Sequence, residues 1–183
     1  LFIKKIYRLI DNHKISKRVV LDLFDGIETD LKDYVEFKSK KELLIYSYKV
    51  AGTVGLMMAK ILNVNSKNAL KSAIDLGIAM QLTNISRDII EDERRNRKYI
   101  HHDFQTIKKT LNLADAFYNS SFNSIKEIPI NCRFAIIVAR RVYREIGNKI
   151  KKKKNIIEYN NSGKIYVTNF GKTIQTFLSI IDF

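Results

Sequence analysis

The stretch Asp75–Tyr99 has the sequence DLGIAMQLTNISRDIIEDERRNRKY. It holds good helix formers and no proline, which predicts one long helix. At about 100° per residue, its small and polar residues fall within roughly one quarter of the circumference. Apolar residues flank this polar stripe, which consists of Gly77, Gln81, Asn84, Asp88, Asp92 and Arg95. Because a surface helix normally has its polar side opposite its apolar side, the pattern predicts a buried helix whose polar stripe faces a cavity.

The stripe includes two aspartates at a spacing that suits a metal ion. Asp88 and Asp92 are four residues apart, so their carboxylates lie about 6 Å apart along one helix face. Like charges at this spacing repel each other unless a positive group lies between them. A hard divalent cation meets that need, and Asn84 adds a neutral oxygen one turn earlier. A solvated acidic face balanced by downstream arginines is the alternative, since the DxxxD pattern is common.

Basic residues accompany the acidic pair. Arg87 and the group of Arg94, Arg95 and Arg97 place anion-binding guanidinium groups at the same end of the predicted helix. Mg²⁺ in proteins is commonly held by a few carboxylates together with substrate phosphate oxygens. The combination indicates a diphosphate that is bound through a metal ion.

Two segments resemble motifs of the squalene/phytoene synthase family. Ala73–Asp92, AIDLGIAMQLTNISRDIIED, with Arg95–Tyr99, RNRKY, resembles the family's second aspartate-rich motif. Tyr46–Met58, YSYKVAGTVGLMM, resembles its YxYxVAGxVGxMM motif. The sequences of both segments most resemble those of bacterial phytoene synthases. The resemblance covers essentially the whole chain, residues 1–183, but only the C-terminal two-thirds or so of the family, which implies a single partial domain with the N-terminal helices missing.

The resemblance implies an all-α fold, an isoprenoid-synthase-type helical bundle around a central cavity. It implies head-to-head condensation of two geranylgeranyl diphosphates to phytoene, through a cyclopropyl intermediate and with release of diphosphate, in carotenoid biosynthesis. Mg²⁺, or alternatively Mn²⁺, is the expected cofactor, and no NADPH is expected. Two alternatives stay open: a squalene-type synthase that uses farnesyl diphosphate, and a non-catalytic assembly or lipid-binding relative of the fold.

The resemblance also implies roles for single residues. The catalytic set comprises Asp88, Asp92, Tyr46 and Tyr99. The metal-binding set comprises Asn84, Asp88 and Asp92. The substrate-binding set comprises Gln81, Arg87, Val50, Tyr143 and Lys164. Within these sets, Gln81 and Arg87 are expected to contact the diphosphate. Tyr46 and Tyr99 are expected to present their aromatic faces to the cationic intermediates.

Four of the assigned residues have competing interpretations. Tyr46 and Val50 either line the substrate cavity or serve tight helix packing, which the glycines of the same predicted helix also favour. Tyr143 either donates a hydrogen bond near the diphosphate or is a core tyrosine. Lys164 stands where the family usually has an arginine, and lysine lacks the bidentate fork of arginine, which puts a phosphate contact there in doubt.

The chain contains one DxxxD motif, Asp88–Asp92, whereas the family uses two on facing helices. We expect the first motif to lie upstream of Leu1, on a chain that is cut at its N-terminus. One pair builds half of a metal cluster, so much of the charge neutralisation for diphosphate departure would be missing. Whether these 183 residues catalyse the reaction by themselves is therefore open.

Composition indicates anionic partners and a reducing compartment. The net charge is +14, from 33 basic and 19 acidic residues, and Lys149–Lys154 is a basic run. The single cysteine, Cys132, excludes an internal disulfide. No apolar run approaches the ~20 residues that span a bilayer. We expect a cytoplasmic protein that binds membrane surfaces peripherally, and no nucleic acid, because the basic residues are scattered and no nucleic-acid motif is present.

Helical spacing and capping residues predict the remaining elements. The predicted helices are Leu1–Asp11, one after Ser16, Ser39–Leu62, a short one from Asp103, Leu111–Ile125, one from Ile128–Pro129, and a last one capped by Thr168 or Asn169 and ending at Phe183. Tyr99–Asp103 and Asn155–Gly163 are predicted loops, in which His101 and His102 are exposed. Asp25 is expected to lie in solvent, whereas the role of Asp30 is open.

Overall fold

Residues 2–183 are described by a computed structural model that consists almost entirely of α-helices. In chain order these are α1 Phe2–Asn12, α2 Lys17–Asp30, α3 Lys40–Ser47, α4 Thr53–Ile61, α5 Lys67–Arg94, α6 Phe104–Phe122, α7 Ile130–Lys151, α8 Ile156–Asn161 and α9 Asn169–Asp182. Two short strands, β1 Val35–Glu36 and β2 Arg97–Lys98, pair in parallel. The all-α prediction is confirmed. The predicted start of the first helix at Leu1 lies outside the described residues.

Side-chain caps explain where most helices begin. An oxygen of each capping side chain accepts a backbone N–H that has no partner inside the helix. The caps are Ser16 for α2, Ser39 for α3, Ser66 for α5, Asp103 for α6, Asn155 for α8 and Thr168 for α9. The predicted caps at Ser16, Ser39 and Thr168 are confirmed.

Helix α5 lies at the centre of the molecule and packs against α3, α4, α6 and α7. It begins at Lys67 and ends at Arg94, so the predicted span Asp75–Tyr99 is wrong at both ends. The helix stops because Asn96 adopts a left-handed backbone (φ 59°) and the next two residues pair with β1. Tyr99 therefore lies after a strand and not on the helix.

Three other predicted boundaries differ from the structure. Phe104–Phe122 is one helix, since it contains neither proline nor glycine. The predicted helix Ser39–Leu62 is interrupted by a π-helical turn at Tyr48–Gly52, which separates α3 from α4. The predicted loop Asn155–Gly163 contains α8, whose buried Tyr159 donates hydrogen bonds to two backbone carbonyls of α5.

His102 is another correction. It is half-buried, and its ring nitrogens contact the carboxylate of Glu93 at 2.8 Å and the side-chain oxygen of Asn160 at 2.9 Å. These contacts join the end of α5 to α8, so His102 has a structural role that its position in a predicted loop did not reveal. His101 is exposed, as predicted.

Helix α5 approaches the π-helical turn and α4 at two glycines. A Cβ atom on Gly77 would lie 2.2 Å from the carbonyl oxygen of Ala51. A Cβ atom on Gly55 would lie 2.2 Å from the carbonyl oxygen of Ala73. Such distances are far below van der Waals contact, so only glycine permits this packing. Among residues 2–183, no helix has the length and apolar character that crossing a membrane requires.

Substituting Gly77→Ala should destabilise the fold by about 1–3 kcal/mol, because the new methyl group can be accommodated only by separating two backbones. Gly147→Ala is the matched control. Its Cβ would meet only the side-chain atom Leu111 Cδ2, at 3.2 Å, and alanine gains up to about 1 kcal/mol over glycine inside a helix. Urea denaturation of both variants measures the difference, and equal effects would contradict the backbone-contact interpretation.

Candidate functional site

An apolar cavity of about 390 Å³ lies between α4, α5, the start of α7 and the π-helical turn. Its wall is formed mostly by aliphatic side chains, including Val50, Met80 and Leu76. Three polar side chains enter the lining from α5: Ser72, Gln81 and Asn84. The structure thus places Gly77, Gln81 and Asn84 of the predicted polar stripe, together with Val50, at one cavity.

The π-helical turn positions the wall opposite α5. It comprises Tyr48–Gly52, and Val50 and Ala51 within it line the cavity. Behind it, Val50 Cγ1 lies so close to Gly26 that a Cβ atom there would be 2.7 Å away. One side of the turn therefore packs against α2, and the other side lines the cavity. Single-turn π-helices inside α-helices frequently occur at functional sites.

The carboxylate of Asp88 is held by two basic side chains. Arg87 donates from Nε to Oδ1 at 2.8 Å and from Nη2 to Oδ2 at 2.5 Å. Lys164 Nζ lies 3.4 Å from Asp88 Oδ1 and donates to Glu91 at 2.8 Å. The structure therefore brings Arg87, Asp88 and Lys164 together, although Lys164 is 76 positions further along the chain than Asp88.

The side chains of Asn84 and Asp92 form no hydrogen bond or ion pair with any of the described residues. Asn84 Oδ1 is buried, and none of the described residues donates a hydrogen bond to it. Burial raises the pKa of Asp92 to about 6, the charge of Asp88 adds to this, and Arg95 partly offsets it. A buried carbonyl oxygen without a donor and a carboxylate in a negative environment are groups that a cation stabilises.

These residues fit a hard divalent cation. Asn84, Asp88 and Asp92 supply oxygen donors of the kind that Mg²⁺ prefers. In the part of the chain that the structure describes, no three acidic, histidine or cysteine side chains converge. The protein side of a magnesium site here would thus be two carboxylates and one amide oxygen, with phosphate and water oxygens filling the other positions.

Tyr46 and Tyr99 form a second polar cluster with Asp30. Both phenols donate to the Asp30 carboxylate, Tyr46 at 2.8 Å and Tyr99 at 2.9 Å. The two rings stack with centroids 4.9 Å apart, and Phe37 packs against both of them. Burial, hydrogen bonding and the negative charge of Asp30 raise the pKa of Tyr46, so its hydroxyl remains a donor.

Asp30 is the site residue that sequence reasoning missed. It ends α2, and its own carbonyl accepts a hydrogen bond from Arg97 Nη2 at 2.6 Å, so α2 is tied to β2. The available signal was the resemblance of Asp25–Leu31, DGIETDL, to a family segment, which left the role of Asp30 open. Asp25 is exposed as expected, 3.5 Å from Lys49.

Tyr143 lies half-buried against the main hydrophobic core. The pKa of Arg87 is raised chiefly by its hydrogen bonds to Asp88, and Tyr143 is near enough to add to this effect. The structure thus places Tyr143 near the acidic end of the site. Both interpretations of Tyr143, as a diphosphate contact and as a core residue, fit this position.

Comparison with known sequences identifies the family of this chain. A family model described as squalene/phytoene synthase matches residues 3–104. The chain belongs to the squalene/phytoene synthase family. It is 37% identical over 162 residues to a phytoene synthase from Pseudescherichia vulneris, covering 76% of this chain and 52% of that protein. It is 34% identical over 158 residues to a 15-cis-phytoene synthase from a Paracoccus species, with the same coverage of both chains.

The family fold is also seen in solved structures. A dehydrosqualene synthase in complex with ligand matches with a TM-score of 0.75 at 26% identity, covering 91% of this chain and 65% of that one. A squalene synthase from Alicyclobacillus acidocaldarius matches with a TM-score of 0.65 at 15% identity, covering 85% and 64%. The predicted isoprenoid-synthase-type helical bundle is confirmed. The chain spans about half the length of the curated relatives it matches.

Asp92 should make stability depend on pH. Its pKa is about 6 in the fold, above the ordinary value of 3.8, so folding favours the protonated form. That contribution is complete at low pH and is lost as the pH rises through about 6. In metal-free buffer, Asp92→Asn should therefore gain stability relative to the parent chain between about pH 4 and pH 7. Urea denaturation across this range measures the difference, and a constant difference would contradict the assignment.

Asp30→Ala should destabilise the fold by about 1–3 kcal/mol, because two phenol donors lose their acceptor, and one of them is buried. Asp25→Ala on the same helix is the control. Its carboxylate is exposed beside Lys49, and such surface pairs contribute little, so we expect a change within about 0.5 kcal/mol. Urea denaturation compares the two variants. A cost for Asp30→Ala no larger than that for Asp25→Ala would show that the cluster is not a stabilising contact.

Proposed function

We propose that the chain forms part of a prenyltransferase site that binds an isoprenoid diphosphate. The observation that carries this proposal is the position of Asn84. Its unpartnered oxygen lies where an apolar cavity meets the acidic end of α5. A prenyl diphosphate has the same two-part chemistry, a long hydrocarbon tail and a charged head that binds metal ions. The cavity suits the tail and the carboxylates suit the metal-bound head.

The reaction we propose is the condensation of two geranylgeranyl diphosphates to phytoene, with release of diphosphate. The relatives from Pseudescherichia vulneris and Paracoccus carry the name phytoene synthase, which supports this choice within the family. When bound, Mg²⁺ would neutralise the charge that develops on the departing diphosphate. Asn84, Asp88 and Asp92 would hold it.

Arg87 and Lys164 are the basic groups of the proposed diphosphate site. They contact Asp88 on the side where Lys164 also reaches Glu91. The guanidinium of Arg87 can bind two phosphate oxygens at once, whereas Lys164 contributes a point charge at the exposed rim. Gln81 lines the cavity within one turn of Asn84, where its amide can orient the first atoms of the prenyl chain and its head group.

The tyrosine cluster serves the carbocationic part of the proposed reaction. Asp30 holds both hydroxyls, so the stacked rings of Tyr46 and Tyr99 are fixed in orientation. An aromatic face attracts a nearby cation without providing a nucleophile to trap it. The aliphatic wall around Val50 and Leu76 likewise offers the cation no nucleophile.

A squalene-type reaction with farnesyl diphosphate is the second candidate. It is favoured by the fold match to a dehydrosqualene synthase, which has the higher TM-score of the two structures described above. The two candidates differ in the length of the prenyl chain. They share the metal, diphosphate and tyrosine sites proposed here.

Incubation of the chain with Mg²⁺ and either radiolabelled geranylgeranyl or farnesyl diphosphate tests the proposal. We expect a C40 hydrocarbon from the first substrate, and a C30 product from the second would support the other candidate. Asp88→Asn should lower product formation by roughly 100-fold, because it removes a charge from the proposed metal site. Glu93→Gln is the control on the same helix, since Glu93 contacts His102 and not the cavity.

Binding provides a second readout. Calorimetry with inorganic diphosphate should show Mg²⁺-dependent binding that Asp88→Asn abolishes and Glu93→Gln retains. The absence of both hydrocarbon product and Mg²⁺-dependent diphosphate binding in the parent chain would contradict the proposed function.

A further inference from the structure

A second cleft, of about 430 Å³, lies between the start of α3, the segment that follows β2 and the first half of α6. We call it the α3–α6 cleft. None of its lining residues also lines the apolar cavity. It is therefore a separate site, to which the proposed prenyl transfer gives no role.

One part of the α3–α6 cleft is apolar and aromatic. Its lining includes Phe37, Leu43, Tyr99, Ile100 and Leu113. The rings of Phe37 and Tyr99 are tilted against each other, with centroids 5.4 Å apart. Aromatic side chains pack favourably against a flat ring, either face to face with an offset or edge to face.

The rest of the cleft carries positive charge. Lys38, Lys40 and Lys109 line it together with His101, and all four residues are exposed. Among residues 2–183, none of these three lysines forms an ion pair. None of the described residues that line the cleft is acidic. A cleft lined by charges of one sign focuses the electric field and attracts an anion.

The carboxylates that flank these residues in sequence do not compensate the charge. Glu42 accepts a hydrogen bond from the backbone N–H of Lys38 at 2.8 Å, and Asp103 accepts one from Thr106 N–H at 2.8 Å. Both carboxylates are therefore engaged at helix starts. Glu36 is exposed on β1, and none of the three lines the cleft.

A basic cleft elsewhere on the molecule provides a contrast. The end of α7, α8 and the segment before α9 form it, and we call it the α7–α8 cleft. Glu158 lines that cleft and lies 3.7 Å from Lys153, while Lys164 is paired with Glu91 and Asp88. The charge of the α7–α8 cleft is thus partly compensated within the protein, whereas that of the α3–α6 cleft is not.

The lining indicates the kind of anion. Seven of the twelve residues that line the α3–α6 cleft are polar or basic. A long hydrocarbon tail would desolvate these groups without replacing their hydrogen bonds, which is unfavourable. A ligand with several phosphate groups and one flat ring suits both parts of the cleft, and the volume is in the range of small-molecule sites.

We propose that the α3–α6 cleft binds a nucleoside phosphate. The phosphates contact Lys38 and Lys40 on one side and Lys109 of α6 on the other. The base packs against Phe37 and Tyr99. This site goes beyond the proposed prenyl transfer, and binding to it does not depend on catalysis.

Binding at this cleft also affects the tyrosine cluster. Tyr99 lines the cleft and donates a hydrogen bond to Asp30, while its ring stacks on that of Tyr46. A ligand that contacts Tyr99 only in this arrangement stabilises it relative to conformations in which the segment after β2 has opened. The bound nucleotide therefore keeps the tyrosine cluster closed.

Calorimetric titration with ATP tests the site. The buffer contains EDTA, so that the proposed Mg²⁺-dependent diphosphate site does not contribute. Inorganic triphosphate reports on the phosphate contacts alone, and adenosine reports on the ring alone. We expect ATP to bind about tenfold more tightly than triphosphate, because stacking of a base on aromatic side chains adds to the charge interaction, and we expect no measurable binding of adenosine.

Two double variants locate the charge. Lys40→Gln with Lys109→Gln should weaken ATP binding about tenfold or more, because both substitutions remove a proposed phosphate contact. Lys67→Gln with Lys126→Gln is the matched control. It removes the same charge at exposed lysines outside both basic clefts, so we expect less than about a threefold change.

Hydrogen exchange of the parent chain gives an independent readout. ATP should slow the exchange of backbone amides at residues 38–43 and 97–101, and it should not do so in the Lys40→Gln, Lys109→Gln variant. Protection that appears instead at residues 149–166 would assign the nucleotide to the α7–α8 cleft and overturn the proposal.

Other outcomes would also contradict it. Equal affinity for ATP and triphosphate would mean that the cleft does not recognise the ring. Equal weakening in the two double variants would mean that ATP responds only to net charge. Absence of ATP binding by a chain that still binds diphosphate with Mg²⁺ would exclude the nucleotide site and leave the proposed function intact.

Discussion

The carbonyl oxygen of Ala51 lies directly against the Cα of Gly77, and the remaining features of the site depend on that backbone contact. It brings the backbone of the π-helical turn and of α4 into direct contact with the backbone of α5. Val50 and Ala51 then face Gln81 and Asn84 across a narrow apolar space. A side chain at Gly77 would push the π-helical turn away from α5. The cavity would then change shape although none of its polar residues had been substituted.

The polar residues near the C-terminal end of α5 differ in how well their side chains are compensated by neighbouring groups. Asp88 has Arg87 beside it in sequence and Lys164 beside it in space, whereas Asn84 and Asp92 have no equivalent compensation. The site is thus uneven, with one neutralised carboxylate, one carboxylate of raised pKa and one unpartnered amide oxygen. Such an arrangement favours a ligand that brings both a cation and an anion, because each half of it meets a group of opposite charge.

Structural features that depend on a single helix could be predicted from local sequence patterns. The polar stripe of α5, the helix caps at Ser16, Ser39 and Thr168, and the all-α class could be read from periodicity and residue type. The contacts of Asp30 could not, because they join residues that are 16 and 69 positions apart in sequence. The exposure of the apolar side chains Phe170 and Ile181 on α9 was equally inaccessible, since an amphipathic pattern normally predicts an apolar side that faces the core.

The pairing of β1 with β2 has a consequence for the order in which the site is assembled. Backbone hydrogen bonds from Val35 N–H to Asn96 and from Phe37 N–H to Lys98 contribute to it. So small a sheet has little independent stability, and its strands are far apart in sequence. Tyr99 therefore reaches Asp30 only after α2, α3 and α5 have docked, and it is among the first residues released when the molecule opens locally. The tyrosine cluster is thus a late-forming, easily opened unit mounted on a helical scaffold.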